Sequence, residues 1–228
     1  MSGFAHVAID GPAGSGKTTV ARALARRTGT LYLDTGAMYR AVALLVLHGG
    51  EDASSEAAVV ALARAHPVRV ELDPLSPLGF RIYAGDQQLG DELYQNDVSR
   101  LASVVAAHPG VRNLMVERQR AIAGAGPIVM AGRDIGTVVL PDAPVKVFLT
   151  ASLAERVDRR RADLAERGTA VEAAELRGEL EERDRLDVSR AVAPLRPAPD
   201  AHTIDSSGLS VAEVVERIVA LMEARAAK

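Results

Sequence analysis

Gly11-Pro12-Ala13-Gly14-Ser15-Gly16-Lys17-Thr18 has the G-x-x-x-x-G-K-[ST] spacing of a phosphate-binding loop. Its glycines let successive backbone N–H groups converge on an anion, and a helix starting at the loop adds the partial positive charge of its N-terminus. In this pattern Lys17 is expected to reach the β- and γ-phosphates, and the Thr18 hydroxyl is the expected magnesium ligand. The chain has three lysines (Lys17, Lys146 and Lys228) against 24 arginines, so a lysine inside this loop does not follow from composition. The chemistry indicated is nucleoside triphosphate binding. The motif leaves the reaction open.

Other charged residues stand where elements end. Asp34-Thr35-Gly36-Ala37-Met38-Tyr39-Arg40 follows a short apolar run and opens a helical pattern, and Gly132-Arg133-Asp134 directly follows the run Ile128 to Ala131. Both belong at the carboxyl edge of a parallel sheet, where open α/β folds place ligands. Arg183, Asp187 and Arg190 are spaced to share one helical face; a solvated ladder of ion pairs is the alternative reading. Arg156 and Arg160 are like charges one turn apart, unfavourable unless Glu155, Asp163 or a bound anion offsets them. The five histidines (His6, His48, His66, His108 and His202) are scattered and read as structural or surface residues.

The elements that must position these groups follow from periodicity. Ala5 to Ile9 reads as a buried strand, Thr18 to Arg27 as a helix, and Leu31 to Leu33 as a second strand. Helices are expected from Ala37 to about His48 and from Ser55 to His66, the latter capped by Ser54 or Ser55. Between Val68 and Leu89 apolar residues alternate and are punctuated by Pro74, Pro77, Gly79 and Gly85, the pattern of a small antiparallel meander. Helices over Asp97–Ala107 and Pro109–Ala123 follow, then strands over Ile128–Ala131 and Val145–Leu149. Leu153 to about Arg190 is helix-forming throughout, and its 20 charged residues in 38 argue against a place in the core. A strand at Thr203–Asp205 and a helix from Ser210 to Ala224, with Glu213 completing a capping box, close the chain. Strands alternating with helices predict an α/β phosphate-loop fold: a parallel sheet with helices on both faces, plus the antiparallel insert.

At 228 residues and 48% hydrophobic content, the chain suits one domain with insertions, or a domain and a half. A net charge of −3 with a pI of about 6.0 gives no reason to expect a nucleic-acid polymer as partner. The absence of cysteine excludes disulfides and thiolate metal sites. The run Ala41 to Leu47 is too short to span a bilayer, and no signal segment is read before the first strand, because apolar residues begin at Phe4 and the phosphate loop arrives by Gly11. A soluble, cytoplasmic protein with no membrane partner is expected. The two asparagines, Asn96 and Asn113, exclude the Asn-Lys-x-Asp signature of guanine-reading switches, and no Leu-Ser-Gly-Gly-Gln stretch is present. A compact kinase with a small second substrate remains. Kinases of UMP or of a non-nucleotide metabolite, or a nucleotide-binding switch without transfer activity, stay open on these grounds.

The motif set nevertheless resembles one family over nearly the whole chain. Ile9-Asp10-Gly11-Pro12 with the loop, Leu33-Asp34-Thr35-Gly36-Ala37-Met38-Tyr39-Arg40 and Gly132-Arg133-Asp134-Ile135-Gly136-Thr137-Val138-Val139 are similar to segments of bacterial cytidylate kinases, as are Pro141 to Lys146, Glu182-Arg183-Asp184 and Arg190-Ala191-Val192-Ala193-Pro194-Leu195. The resemblance implies phosphoryl transfer from ATP with Mg2+ to CMP or dCMP, by a protein expected to be a monomer. It implies a nucleoside-monophosphate region at about 35–110 containing the β insert at about 68–90, and a lid at about 153–190. Gly11, Pro12, Ala13, Gly14, Ser15, Gly16, Lys17, Thr18 and Thr19, with Arg156 and Arg160, would hold ATP, though Arg159 and Arg161 compete for the lid role. Arg40, Arg133 and Arg190 would grip the CMP phosphate, with Thr35 beside them. Arg183 and Asp187 would contact substrate and ribose, and Ser103, Arg112 and Asp134 would read cytosine. Lys17, Arg133, Arg183 and Arg190 would surround the phosphoryl group in transfer.

Overall fold

The computed structural model describes residues 6–76, 78–166 and 168–227. Phe4, Ala5, Pro77 and Lys228, invoked above, lie outside the described residues. The first strand, β1 (Val7–Asp10), is buried along its whole length, and it sits at the centre of a five-stranded sheet. Two strands flank it on one side, β6 (Ile128–Gly132) and then β2 (Leu31–Asp34); on the other lie β7 (Val145–Thr150) and then β8 (His202–Asp205). Every pairing is parallel, with Ile9 in register with both Ala131 and Val147. Near-continuous apolar strands are what a parallel sheet covered on both faces requires.

Helices flank this sheet. α1 (Lys17–Thr28) packs beside α8 (Val211–Ala226), and α2 (Thr35–Gly49) packs on α4 (Asn96–Val105). The remaining helices of this layer are α3 (Glu56–Ala65) and α5 (Pro109–Ala123). Their starts follow the expected chemistry: Ser55 caps α3, Pro109 opens α5, and Ser210 with Glu213 forms the capping box of α8. α2 begins two residues before its expected start, because the Asp34 carboxylate accepts the Gly36 N–H at 3.0 Å and caps it. The meander forms as read, with β3 (Val68–Leu72), β4 (Phe80–Ala84) and β5 (Gln87–Leu89) antiparallel. Phe80, on its buried face, meets Tyr32 of β2 with ring centroids 5.9 Å apart, fastening the insert to the main sheet.

The charged stretch from Leu153 differs from expectation in one respect. It folds as two helices, α6 (Leu153–Glu166) and α7 (Ala173–Ser189), and they enclose a small core of their own. Val157, Leu164, Leu176 and Leu180 bury against one another and against Ala13 of the phosphate loop. Counting charge hid this, because four apolar residues at helical spacing are enough to zip a two-helix hairpin while the remaining faces stay polar. Two short elements were also not anticipated: a 3₁₀ turn at Asp91–Tyr94 and a π-helical turn at Ile135–Val139. Among the described residues, no helix is long and apolar enough to cross a membrane.

Gly11 shows how tightly the loop is seated on the sheet. Its φ is 152°, and a Cβ placed there would lie 2.0 Å from the Leu149 carbonyl oxygen of β7. That contact is with backbone, which cannot turn aside. Gly11→Ala is therefore expected to destabilise the fold by about 1–3 kcal/mol or more, read by thermal denaturation. A variant that melts with the wild type would show that the loop can lift off β7 without cost.

Candidate active site

The site is assembled around the end of β1. Asp10, its last residue, is buried, and its two carboxylate oxygens accept the N–H groups of Ile135 and Gly136, each at 2.7 Å. Those donors open the π-helical turn that follows β6, so one carboxylate fastens the phosphate loop to the segment carrying Arg133 and Asp134. Burial pushes the Asp10 carboxyl up to about 6, against the two N–H groups, which favour its ionised form.

Beyond this junction a single cleft of about 610 Å³ runs from the loop to Ser103 on α4. Nine cationic side chains and five carboxylates line it among the described residues, an excess that calls for anionic ligands. No histidine is among them. At one end Gly16, a left-handed residue with no side-chain cap, precedes α1, so the first-turn N–H groups of the helix face the loop. Lys17 is buried, and its ammonium donates to the Pro12 carbonyl at 2.5 Å and to Ser15 Oγ at 3.3 Å. Burial, then the nearby Arg133 cation, lowers its pKa well below the ordinary lysine value. The Thr18 hydroxyl donates to Asp34 Oδ2 at 3.4 Å, and Thr19 lines the same space.

The hairpin supplies the wall over this end. Arg160 lines the cleft and donates to Asn96 Oδ1 at 3.3 Å, while Arg159 lines it from hydrogen bonds to the Ser206 carbonyl and hydroxyl at 2.8 and 3.0 Å. Arg156 is placed otherwise. Its guanidinium is buried under the loop, donating to the Ala13 carbonyl at 3.1 Å and pairing with Asp184 at 2.7 Å. Arg161 points outward to Asp158. Asn96 also donates to Glu179 of α7 at 3.1 Å, tying α4 to the hairpin.

At the other end the structure brings together most of the remaining sequence candidates. Arg133 Nε donates to Asp187 Oδ2 at 2.7 Å, and Arg190 lies 3.8 Å from Asp187 Oδ1 and 3.7 Å from Asp134 Oδ1. Arg112, fully buried, pairs with Asp134 Oδ2 and stacks over the Tyr39 ring at 5.6 Å. Arg40 reaches Asp34 at 3.4 Å and lies over the Tyr94 ring at 5.2 Å. Ser103 lines this end from α4, and Thr35 donates to the Ala131 carbonyl at 2.9 Å. Burial would lower the Arg133 pKa, but Asp187 outweighs it and holds the guanidinium above its ordinary value; Asp187 is correspondingly held below its own. Among the described residues Arg183 has no such paired carboxylate, Asp187 acting on it only at longer range. Burial, then the Arg133 and Arg40 cations, pushes it down to about 9, still charged at neutral pH, and its Nε has no hydrogen-bond partner. Such a cluster is stabilised by an incoming anion.

Several residues of this site escaped sequence reasoning. Asp10 and Asp34 stood in quoted motifs at strand ends, which was a usable signal for both. Ser206, whose hydroxyl bonds to the Ser15 carbonyl at 3.2 Å, sits in a Ser-Ser-Gly turn with no chemical signature. The aromatic supports Tyr39 and Tyr94 read only as helix or loop residues.

The sequence profile of the cytidylate kinase family matches residues 7–224. The chain is 48% identical over 224 residues to a cytidylate kinase of Pelotomaculum thermopropionicum, covering 98% of each chain. It is also 48% identical over 219 residues to a cytidylate kinase of Geobacillus kaustophilus, covering 96% of each. Among solved structures, an uncharacterized protein from Eubacterium ventriosum superposes over 96% of this chain and 98% of its own with a TM-score of 0.51 at 13% identity, a likeness of fold alone.

The Asp10 carboxyl gives a pH test. With a folded value of about 6 against 3.8 for the free group, it binds its proton earlier in the folded state than in the unfolded one as pH falls. It therefore weakens the fold at neutral pH and ceases to do so as pH falls through 6 toward 3.8. Wild-type stability minus that of Asp10→Asn should rise by up to about 3 kcal/mol between about pH 7 and about pH 4. Denaturation profiles of the two proteins that run parallel across that range would overturn the burial account.

Proposed function

The chain belongs to the cytidylate kinase family, and from that premise we propose how its cleft carries the reaction. It is a phosphotransferase acting on CMP and dCMP, and as a kinase of this family it takes its phosphoryl group from ATP. The observation that carries the assignment of ends is the junction at Asp10. It sets the phosphate loop, a site for a triphosphate, against a cluster of arginines suited to a second, singly phosphorylated nucleotide. In this reading the loop from Gly11 to Thr19 holds ATP, with Arg160 and Arg159 over it and Arg156 bracing the loop from below. Arg40, Arg133 and Arg190 hold the CMP phosphate, Arg183 and Asp187 reach phosphate and ribose, and Thr35 closes the β2 edge of that pocket. Residues 35–110 form the acceptor region, and the hairpin at 153–190 is the lid. A monomer working in the cytoplasm is part of the same proposal.

The attacking atom is a phosphate oxygen of CMP, already ionised near neutral pH. It forms a bond to the γ-phosphorus as the bond to the β–γ bridging oxygen breaks, giving CDP and ADP. No general base is needed, which suits a cleft without histidine. The chain's contribution is alignment and charge. Arg183 and Arg190 carry charge that the protein's own carboxylates leave only partly compensated, so they bind more strongly as negative charge gathers between the nucleotides. Lys17, resting on the Pro12 carbonyl, exchanges that neutral acceptor for phosphate oxygens; this restores the preference for its charged form. The Thr18 hydroxyl and Asp34 carboxylate are adjacent hard oxygen donors and fit Mg2+. When bound there, the ion would neutralise charge on the β- and γ-phosphates.

Base selection falls to Ser103, Arg112 and Asp134. Cytosine presents a donor at N4 and acceptors at N3 and O2, matching a carboxylate and two donors. Uracil places an oxygen against Asp134 and a donor at N3. Asp134→Asn keeps the shape and presents a donor at that point. The ratio of kcat/KM for CMP over UMP is expected to fall about tenfold or more, with KM for ATP nearly unchanged. A coupled assay of ADP release with CMP, dCMP, UMP and AMP measures this. Greater activity with AMP than with CMP would overturn the acceptor, and an unchanged CMP-to-UMP ratio would overturn the role of Asp134.

A further inference from the structure

Ala193 is, among the described residues, the only residue other than glycine with a positive φ, at 51°. A left-handed backbone is unfavourable for an L-residue with a Cβ and persists only where surrounding contacts enforce it. Here they do. The chain leaves α7 at Arg190, whose own N–H still bonds to the Leu186 carbonyl; five residues later the Leu195 N–H returns to the Asp187 carbonyl at 2.8 Å, and the Leu195 side chain is buried. The loop between is thus pinned at both ends to the last turn of α7. Pro194 follows Ala193 directly and offers no N–H that could relieve it.

The left-handed turn serves one visible contact. The Ala193 carbonyl accepts the Nε–H of Arg190 at 2.5 Å. The other Arg190 contacts are longer ion pairs, 3.7 Å to Asp134 and 3.8 Å to Asp187, and its Nη2 is buried with no hydrogen-bond partner. The Nε hydrogen bond therefore sets the plane of the guanidinium, while Nη2 has no hydrogen-bond partner among the described residues and Arg190 lines the cleft. An arginine held through Nε presents its two terminal nitrogens together, the geometry for two parallel bonds to a phosphate. Swinging φ of Ala193 into the ordinary negative range would carry its carbonyl away from Nε and free the side chain.

We propose that Ala193 is a positioning residue whose left-handed backbone aims the Arg190 fork at the acceptor phosphate. This rests on the reading of Arg190 as a ligand of that phosphate. Valine, branched at Cβ, is strongly disfavoured in the left-handed region, whereas asparagine enters it readily. Ala193→Val is expected to raise KM for CMP about tenfold, the loss of one charged hydrogen bond, with KM for ATP nearly unchanged. Ala193→Asn should restore wild-type KM for CMP, and Ala193→Val added to Arg190→Ala should raise it no further. A valine variant with wild-type KM for CMP, or an asparagine variant as impaired as valine, would overturn the proposal. If the valine variant does not fold, the Arg190 Nε–H signal of the wild type, identified by its loss in Arg190→Ala, decides by its exchange rate. Slow exchange supports the hydrogen bond; exchange as fast as that of a solvent-exposed guanidinium overturns it. Wild-type KM for CMP in Arg190→Ala would instead refute the role of Arg190 in acceptor binding, and the Nε–H exchange would still judge the contact with Ala193.

Discussion

The arrangement depends on one carboxylate. Asp10 ends the central strand and binds two N–H groups of the turn after the neighbouring strand, so the phosphate loop and the segment carrying Arg133 are set from a single point. The first N–H groups of a helical turn have no partner within it, and here Asp10 supplies one for two of them. Burial makes the ionised carboxylate unfavourable in isolation. Its return is positional: a buried charged group that can be satisfied in one geometry selects that geometry.

A second regularity is the placing of carboxylates between cations. Asp187 lies between Arg133 and Arg190, and Asp134 between Arg112 and Arg190. Asp34 joins Arg40 to the Thr18 hydroxyl. Each acid orients two donors and neutralises neither completely, so the arginines keep their planes while their charge remains available. Full neutralisation would leave no electrostatic reason for a nucleotide to enter; fewer acids would leave buried guanidinium groups repelling one another, as Arg183 is already placed among Arg133 and Arg40.

Much of this was legible in the sequence, for identifiable reasons. Strands buried on both faces read as apolar runs, capping residues announced helix starts at Ser55, Pro109 and Ser210, and the loop carried its own spacing. The π-helical turn was not legible, because Ile135-Gly136-Thr137-Val138-Val139 suits several local structures and the carboxylate that holds its first N–H lies 125 residues away. The three consecutive arginines from Arg159 to Arg161 could not be ranked either. Successive helical residues point about 100° apart, so which of them faces the cleft depends on how the hairpin docks, and Arg156 is turned under the loop by partners far away in sequence. Ala193 was hidden because a left-handed alanine has no compositional mark.

The small core of the hairpin includes Ala13, a residue of the phosphate loop itself. The loop is consequently shared property: its two ends belong to the main sheet and α1, while its crest is packed by the two helices that cover it. A displacement of those helices removes packing from the crest even where no charged group changes partner. Occupancy and cover are thereby mechanically joined, because whatever orders the crest also offers the hairpin a firmer surface, and a hairpin that settles there stiffens the crest in turn.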